Sequence, residues 1–280
     1  MSEITPISRA IIVTPAAQTD RMRSILSQLC TLLDRALEPA RHFKPEPGPL
    51  ENDLKIAILM HALNAFDAAC AVETMSGTDH PATIVGDFRT IFECLVKIRW
   101  MAAHPQRART FLESEPFERY SLATARVRKS DKWPVIIAEC NAALKKNPKL
   151  LTLIKNKKAG GHGAIAKAMR MPELFEMAQA VGMDEEDYLL DHAVPSLSPH
   201  SSIVQMKNYP RPNSDGTIRM TTEMDPQLLL AYVSRVTART GEILQEVLRH
   251  FPDGKILFDS ENVAKRLAEV TAMLRNSLRK

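Results

Sequence analysis

The amino-acid sequence predicts an all-α protein: a multi-helix bundle with one small β-hairpin insertion near residues 208–221. Apolar residues recur at helical spacing over residues 19–38, which indicates an amphipathic helix. Residues 51–76 and 82–104 are longer and mostly apolar, as helices in the middle of a bundle are. The hairpin is predicted because an Asn-Ser-Asp-Gly turn at residues 213–216 lies between two short runs.

The first helix is predicted to begin with Thr19 or Asp20 as its N-cap and to end at Pro39, because proline interrupts helical hydrogen bonding. The stretch after it is rich in proline, so it is predicted to be a loop. We therefore expect residues 1–45 to form an N-terminal extension and first helix. Residues 46–280 are expected to form a helical domain against which the first helix packs.

The central pair of the bundle is predicted from residues 51–76 and 82–104. Its apolar side should form the core, and the residues expected to be buried there are Leu59, Phe92, Leu95 and Ile98. Further helices are expected from Pro105 to Lys129 and over residues 226–250 and 261–280. Another amphipathic helix is expected to end at Gly182.

Composition and charge narrow the class of protein. A net charge of +4, from 37 basic and 33 acidic side chains, is too small to indicate a nucleic-acid scaffold by itself. The four cysteines lie far apart without a Cys-x-x-Cys pair, so we expect reduced core residues of a cytoplasmic protein. We expect no signal peptide, no membrane span, no cofactor and no metal site.

The segment most informative about function is Phe88–His104, an apolar helix that also carries charges. On a helical wheel Arg89, Glu93, Trp100 and His104 fall within about 60° of one another, so they share one face. One interpretation is a solvated face with an ordinary i,i+4 ion pair. The other is an internal polar network, because a tryptophan on that face favours burial.

The preceding helix carries polar side chains that could face Arg89. His61, Asn64 and Asp67 follow at intervals of three in an apolar segment, and antiparallel packing would set Asn64 or Asp67 opposite Arg89. The alternative is that they are core polar groups with internal partners. His61 and Asn64 are a poor ligand pair for a metal ion.

A second candidate is the loop that contains His200. Ser198 is suited to cap a helix with Pro199 at its first position, so His200 would project from a helix N-terminus, where anions bind favourably. The alternative is a capping motif whose histidine bonds a neighbour. We hypothesise that Arg89 and Glu93 are buried together and that this loop delivers His200 to them.

These residues carry a resemblance to a known family. The Arg89-x-x-x-Glu93 helix, its continuation over Arg107–Tyr120 and the Ser-x-x-x-His segment ending at His200 are similar to a family of bacterial all-helical proteins of unknown function. The resemblance covers roughly residues 50–250. It implies that Arg89, Glu93 and His200 are the polar residues that recur in such proteins, and it implies no activity.

A second resemblance concerns Arg99 and His104. Their Arg-x-x-x-x-His spacing resembles the ribonuclease motif of HEPN domains, helical proteins of toxin and antiviral systems in which the pair acts on the RNA backbone, often across a dimer interface. Here Trp100 replaces the usual polar residue after the arginine. The spacing sets the two side chains about 140° apart on a regular helix, so convergence requires a helix end or a partner subunit.

Two functions from different classes follow. In the first, the protein is a bacterial defence or toxin effector, such as a metal-independent ribonuclease, that acts on RNA or nucleotides through a buried site. The candidate catalytic residues are Arg89, Glu93, Arg99, His104 and His200. In the second, it is a non-catalytic helical sensor or protein-interaction module. Either function is expected in a homo-oligomer or with a partner protein.

Overall fold

The computed structural model describes residues 14–42, 50–78, 84–112, 172–193, 210–212, 217–220 and 224–278, together with a few isolated positions. These residues form a helical bundle, so the predicted all-α class is confirmed. The helices are α1 (Pro15–Arg41), α2 (Leu50–Met75), α3 (Ile84–Ala103), α4 (residues 106–112), α5 (Leu174–Ala180), α6 (Glu185–Tyr188), α7 (Pro226–His250) and α8 (Gly254–Leu278). A π-helical turn, Leu189–Ala193, follows α6 directly.

The region of the expected hairpin insertion contains two very short extended segments, β1 (Pro210–Pro212) and β2 (Ile218–Met220). They pair antiparallel, with Arg211 opposite Arg219. A pair of three-residue strands adds no layer to the helical bundle.

Helix α1 is longer than expected at both ends. It begins at Pro15, and the Thr14 Oγ1 accepts a hydrogen bond of 3.4 Å from the Ala17 amide. Threonine before a proline at the first helical position is a favourable start, so the expected caps at Thr19 and Asp20 were wrong. Pro39 does not end the helix either. It lies two residues before the end, so the turn that it weakens is the terminal one.

The central pair, α2 and α3, is confirmed, with bounds within two residues of the predicted ones. The two helices pack against each other along most of their length. The four residues expected in their core are buried: Leu59, Phe92, Leu95 and Ile98. Burial of apolar side chains on both helices is the main stabilising contribution here.

The sequence predicted the bounds of α7 more accurately than those of α8, the last two helices of the chain. The bounds of α7 match the prediction, and the Asp225 carboxylate accepts hydrogen bonds from the Gln227 and Leu228 amides. Helix α8 begins at Gly254, seven residues earlier than expected, because the Asp253 carboxylate caps the Lys255 and Ile256 amides. At the end of α5, Gly182 has a φ of 76°, as the predicted helix stop requires.

Helix α7 lies at the centre of the packing, because it contacts α1, α2, α3 and α8. Helix α1 contributes to the same apolar core as α2, α3 and α7. The segment 174–193 packs on α3 through α5 and the π-helical turn. Helix α3 is therefore held between α2, α7 and this segment, and its charged face lies beside the π-helical turn.

Within the described residues one helical stretch, Glu51–Met75, is long and apolar enough to cross a membrane, with a mean hydropathy of 1.4. Half of the apolar window is buried inside the protein. The core helix of a soluble protein has the same length and composition, so this property is weak support for a membrane span.

Candidate functional site

The charged face of α3 forms the base of the candidate site. The Arg89 Nε donates a 2.7 Å hydrogen bond to the Glu93 Oε1, and the Lys97 Nζ lies 3.6 Å from the Glu93 Oε2. These side chains are only partly buried, with 33%, 24% and 34% of their surface exposed. The expectation that Arg89 and Glu93 are buried together is met only in part, because this face borders solvent and keeps the charged groups partly hydrated.

The π-helical turn places a histidine on the same carboxylate. His192 Nε2 lies 3.2 Å from the Glu93 Oε1, and 14% of the His192 side chain is exposed. A carboxylate can only accept, so Nε2 carries the proton of this hydrogen bond. In this tautomer Nδ1 carries no proton, and the atom is buried. Among the residues that the structure describes, His192 is therefore the histidine that contacts Glu93.

Aromatic rings fix the orientation of His192. Its ring centroid is 4.9 Å from that of Tyr188 and 6.4 Å from that of Phe92. Tyr188 in turn contacts the ring of Phe175 at 4.9 Å. Burial and the neighbouring Glu93 carboxylate raise the pKa of the Tyr188 hydroxyl. An imidazole with one edge on a carboxylate and its ring against aromatic side chains has little rotational freedom.

The electrostatics of the site centre on Glu93. Burial alone would raise the pKa of its carboxyl group, but the hydrogen bond from His192 and the charges of Lys97 and Arg89 act more strongly in the opposite direction. The net result is a pKa of about 2. Glu93 is therefore ionised at neutral pH and acts as an orienting anion rather than as a proton donor.

A second ionic cluster lies on the other side of the π-helical turn. Asp191 is fully buried, and its carboxylate pairs with Arg235 through Nε and with Arg239 at 2.8 Å. Asp187, one helical turn earlier, pairs with the same two arginines at 2.9 and 2.6 Å. The two acids and the two arginines each follow i,i+4 spacing. They form a matched four-residue clamp that joins α6 and the π-helical turn to α7.

The clamp continues along α7 as a row of ion pairs. Arg239 contacts Glu242 at 2.9 Å, and Glu242 contacts Arg99 of α3 at 2.9 Å. Arg99 also contacts Glu246 at 3.1 Å, and Glu246 pairs with Arg249 at 2.8 Å. Glu246 is 4% exposed on its side chain, so its two arginines compensate a buried charge.

The structure gives Arg99 and His104 different surroundings. Arg99 is held by the two glutamates of α7, whereas the His104 ring stacks on Trp100 at 5.1 Å and its Nδ1 lies 2.9 Å from the Trp100 carbonyl oxygen. Trp100 is buried, in line with the preference of a large aromatic side chain for burial. The comparisons with known proteins show no HEPN similarity.

The polar residues of α2 do not take Arg89 as a partner. The Asn64 Nδ2 donates to the Cys94 Sγ at 3.5 Å, and Asp67 is exposed. His61 is buried against the ring of Phe111 at 4.8 Å. The contact expected between Asn64 or Asp67 and Arg89 is replaced by the pair that Arg89 makes with Glu93.

Two expectations fall on other parts of the chain. His200, with the loop expected to deliver it, lies outside the described residues, as does the expected fourth helix beyond residue 112. Among the residues that the structure describes there is no group of three or more His, Cys, Asp or Glu side chains placed to hold a metal ion.

Sequence reasoning missed His192 and the Asp187/Asp191 clamp. A signal for the clamp was present, because two acids at i,i+4 spacing and two arginines at i,i+4 spacing on an amphipathic helix are complementary. A histidine directly after the second acid then lies close to the clamp. No local pattern linked either feature to Glu93, which is 99 residues from His192 along the chain.

The comparisons assign the chain to a family. A family model described as a family of unknown function, DUF5677, matches residues 55–217, which is more than half of the chain. The chain belongs to this family. The predicted resemblance to an all-helical family of unknown function is thereby confirmed. No curated protein and no solved structure matches the chain.

The DUF5677 region contains the Glu93 site but only part of the ionic clamp. Arg89, Glu93, Lys97 and the π-helical turn lie inside residues 55–217. Helix α7, which supplies Arg235 and Arg239, lies outside. The family region thus provides the carboxylate and the histidine, and the helix that follows it provides the arginines that hold the π-helical turn in place.

Proposed function

We propose that the protein acts on RNA or nucleotides, with Glu93 and His192 as the proton-transfer pair of a metal-independent active site. The observation that carries the proposal is the hydrogen bond between the Glu93 carboxylate and His192 Nε2, at 3.2 Å, with Arg89 and Lys97 on the same carboxylate. A histidine oriented by an ionised carboxylate is a common general acid/base arrangement.

In this proposal the Glu93 carboxylate holds the imidazole in one tautomer and one orientation. The His192 imidazole takes a proton from the attacking hydroxyl group or water and returns a proton to the leaving oxygen. The reaction class is the hydrolysis or transesterification of a phosphate ester. Proton transfer of this kind contributes about 10²–10⁴-fold to the rate of such reactions.

Arg89 and Lys97 supply the charge that such a reaction needs. Two permanent cations share one carboxylate, so the α3 face carries an excess positive charge beside His192. Positive groups at this distance attract a phosphate and stabilise the additional negative charge of its transition state. Because both side chains are about one-third exposed, a substrate can reach them.

The wider setting of this activity is also part of the proposal: a cytoplasmic bacterial defence or toxin effector, working as a homo-oligomer or with a partner protein. It derives from the resemblance of the Arg99 to His104 spacing to the HEPN ribonuclease motif. Induced expression of the wild-type chain should slow the growth of a bacterial host, and His192→Ala should relieve this effect.

A second candidate function is a non-catalytic sensor or interaction module. It is favoured by the exposure of Leu189 and Leu190, 51% and 36%, on the π-helical turn that carries His192. Apolar side chains exposed beside a polar cluster are typical of a surface that contacts a partner. In that case the Glu93 to His192 hydrogen bond would position the turn for the partner.

The two functions are separated by incubating the purified protein with total RNA and with a panel of nucleotides in the presence of EDTA. The proposal expects turnover that falls about 10²–10⁴-fold in His192→Ala. The matched control is His42→Ala, whose side chain is 80% exposed, and it should retain full activity. His104→Ala and His200→Ala test the two histidines that the sequence indicated as catalytic candidates. Absence of turnover, or an unchanged rate in His192→Ala, would reject the catalytic proposal.

A further inference from the structure

Opposite Lys97, α2 carries a buried histidine that the proposed reaction does not use. His61 is 8% exposed, and its Nε2 has no hydrogen-bond partner within the described part of the chain. A buried polar atom without a partner destabilises a protein. A bound group that accepts a hydrogen bond from this nitrogen would remove that cost.

The register of α2 and α3 sets His61 beside Lys97. Asn64 contacts Cys94 across the seam between the two helices. The helices run antiparallel, so a residue three positions before Asn64 on α2 faces a residue three positions after Cys94 on α3. These two residues are His61 and Lys97. The electrostatic effect agrees: burial and then the Lys97 charge lower the pKa of the His61 imidazole to about 4, against the opposing effect of Glu93.

Lys97 has capacity for a further partner. In the described part of the chain its ion pair is with the Glu93 Oε2 at 3.6 Å, longer than a hydrogen bond, and its side chain is 34% exposed. The neighbouring Asn64 is also exposed, so the seam is open to solvent one helical turn from His61. A small anion can therefore approach Lys97 from this side.

We propose that His61 and Lys97 form a phosphate-binding subsite on the α2 side of Glu93. This inference rests on the proposed function, since the phosphate would belong to the RNA or nucleotide on which His192 acts. Lys97 supplies the charge, and the neutral His61 imidazole donates its Nε2 proton to a phosphate oxygen. The bound anion satisfies the buried nitrogen and offsets the Lys97 charge beside it.

Inorganic phosphate is the probe for this subsite. The full-length protein with ¹³C-labelled histidine is titrated at pH 7 with phosphate, and in parallel with adenosine, which has no phosphate. Phosphate should shift the His61 ring resonances and raise the pKa of His61 by one unit or more, because the anion stabilises the imidazolium form. Adenosine should leave both unchanged. A His61 resonance that phosphate does not move would overturn the subsite.

Substitutions assign the two partners. Lys97→Met should weaken phosphate binding about tenfold or more, whereas Lys55→Met, which removes a lysine of similar exposure on α2, should leave it unchanged. His61→Leu should weaken binding and raise Tm, because it removes a buried polar atom, and His61→Gln should retain most of the affinity through its amide donor. Equal affinity in wild type and Lys97→Met would also overturn the proposal.

These measurements separate the subsite from the proposed reaction. Phosphate binding that depends on Lys97 and His61, without RNA turnover, would keep the subsite and reject catalysis. RNA turnover that depends on His192, with phosphate affinity and KM unchanged in His61→Leu, would keep the reaction and reject the subsite.

Discussion

Glu93 decides the local electrostatics of the site because three basic side chains meet its carboxylate. Arg89 and Lys97 come from the previous and next turns of the same helix, and His192 comes from the π-helical turn. The carboxyl group is 24% exposed, so these interactions act in a medium less polar than water and are screened less than those of a surface pair. Glu93 should therefore contribute to stability as well as to the position of His192.

The contribution of Glu93 should depend on pH. Its pKa falls from 4.5 to about 2 on folding. Because the folded value is the lower one, the stabilisation is fully present above about pH 4.5 and is lost as the pH falls toward 2. The shift corresponds to about 3 kcal/mol. In urea unfolding experiments the free-energy difference between wild type and Glu93→Gln should shrink by about this amount between pH 5.5 and pH 2.

A matched control for that experiment is Glu269→Gln on α8, because Glu269 is exposed. Its free energy of unfolding should differ from that of wild type by about 0.5 kcal/mol or less over the same pH range. A difference between wild type and Glu93→Gln that did not change with pH would show that Glu93 interacts equally in the folded and unfolded chains.

At the residue scale the sequence predicted only the local part of the site. Arg89 and Glu93 were found because i,i+4 spacing on a helix guarantees that side chains are neighbours. His192 was not found, because its contact with Glu93 is created by the packing of two segments 99 residues apart. Helical periodicity describes one element at a time and carries no information on which elements meet.

At the scale of the elements, helix type was easier to predict than helix ends. The long apolar pattern of α2 and the amphipathic pattern of α7 located both helices. The start of α8 was misplaced because a single aspartate, Asp253, caps it ahead of the strong apolar pattern. The π-helical turn has no periodic signature, and such turns occur frequently at functional sites.

The packing of α3 can be tested at Leu95, which is fully buried between its neighbours. Leu95→Ala should destabilise the protein by about 2–5 kcal/mol, the sum of lost hydrophobic burial and the cavity that remains. Leu257→Ala removes the same atoms at a position of α8 that is 47% exposed, and it should cost about 0.5 kcal/mol or less. Chemical denaturation measures both. Equal losses would mean that α3 is not a core helix.

At the scale of the whole molecule, a row of ion pairs along α7 connects the π-helical turn to α3. Asp191 of the π-helical turn pairs with Arg239, Arg239 pairs with Glu242, and Glu242 pairs with Arg99 of α3. The row thus links the turn that carries His192 to the helix that carries Glu93. Buried ion pairs are weak sources of net stability but effective in fixing relative orientation, and that is the role we assign to this row.

This role predicts energetic coupling between Asp191 and Arg99, whose link runs through Arg239 and Glu242. In a double-mutant cycle, Asp191→Asn and Arg99→Met should show an interaction energy of about 0.5–3 kcal/mol. Each substitution removes one charge from the row, and the cost of removing the second charge therefore depends on whether the first is present. The control pairs Asp191→Asn with Arg35→Met, since Arg35 is 43% exposed and contacts Asp259 of α8. That pair should be additive within about 0.5 kcal/mol. A coupling for Asp191 and Arg99 no larger than the control would show that the ion pairs act independently, and the position of His192 would then depend on Asp191 and its two arginines alone.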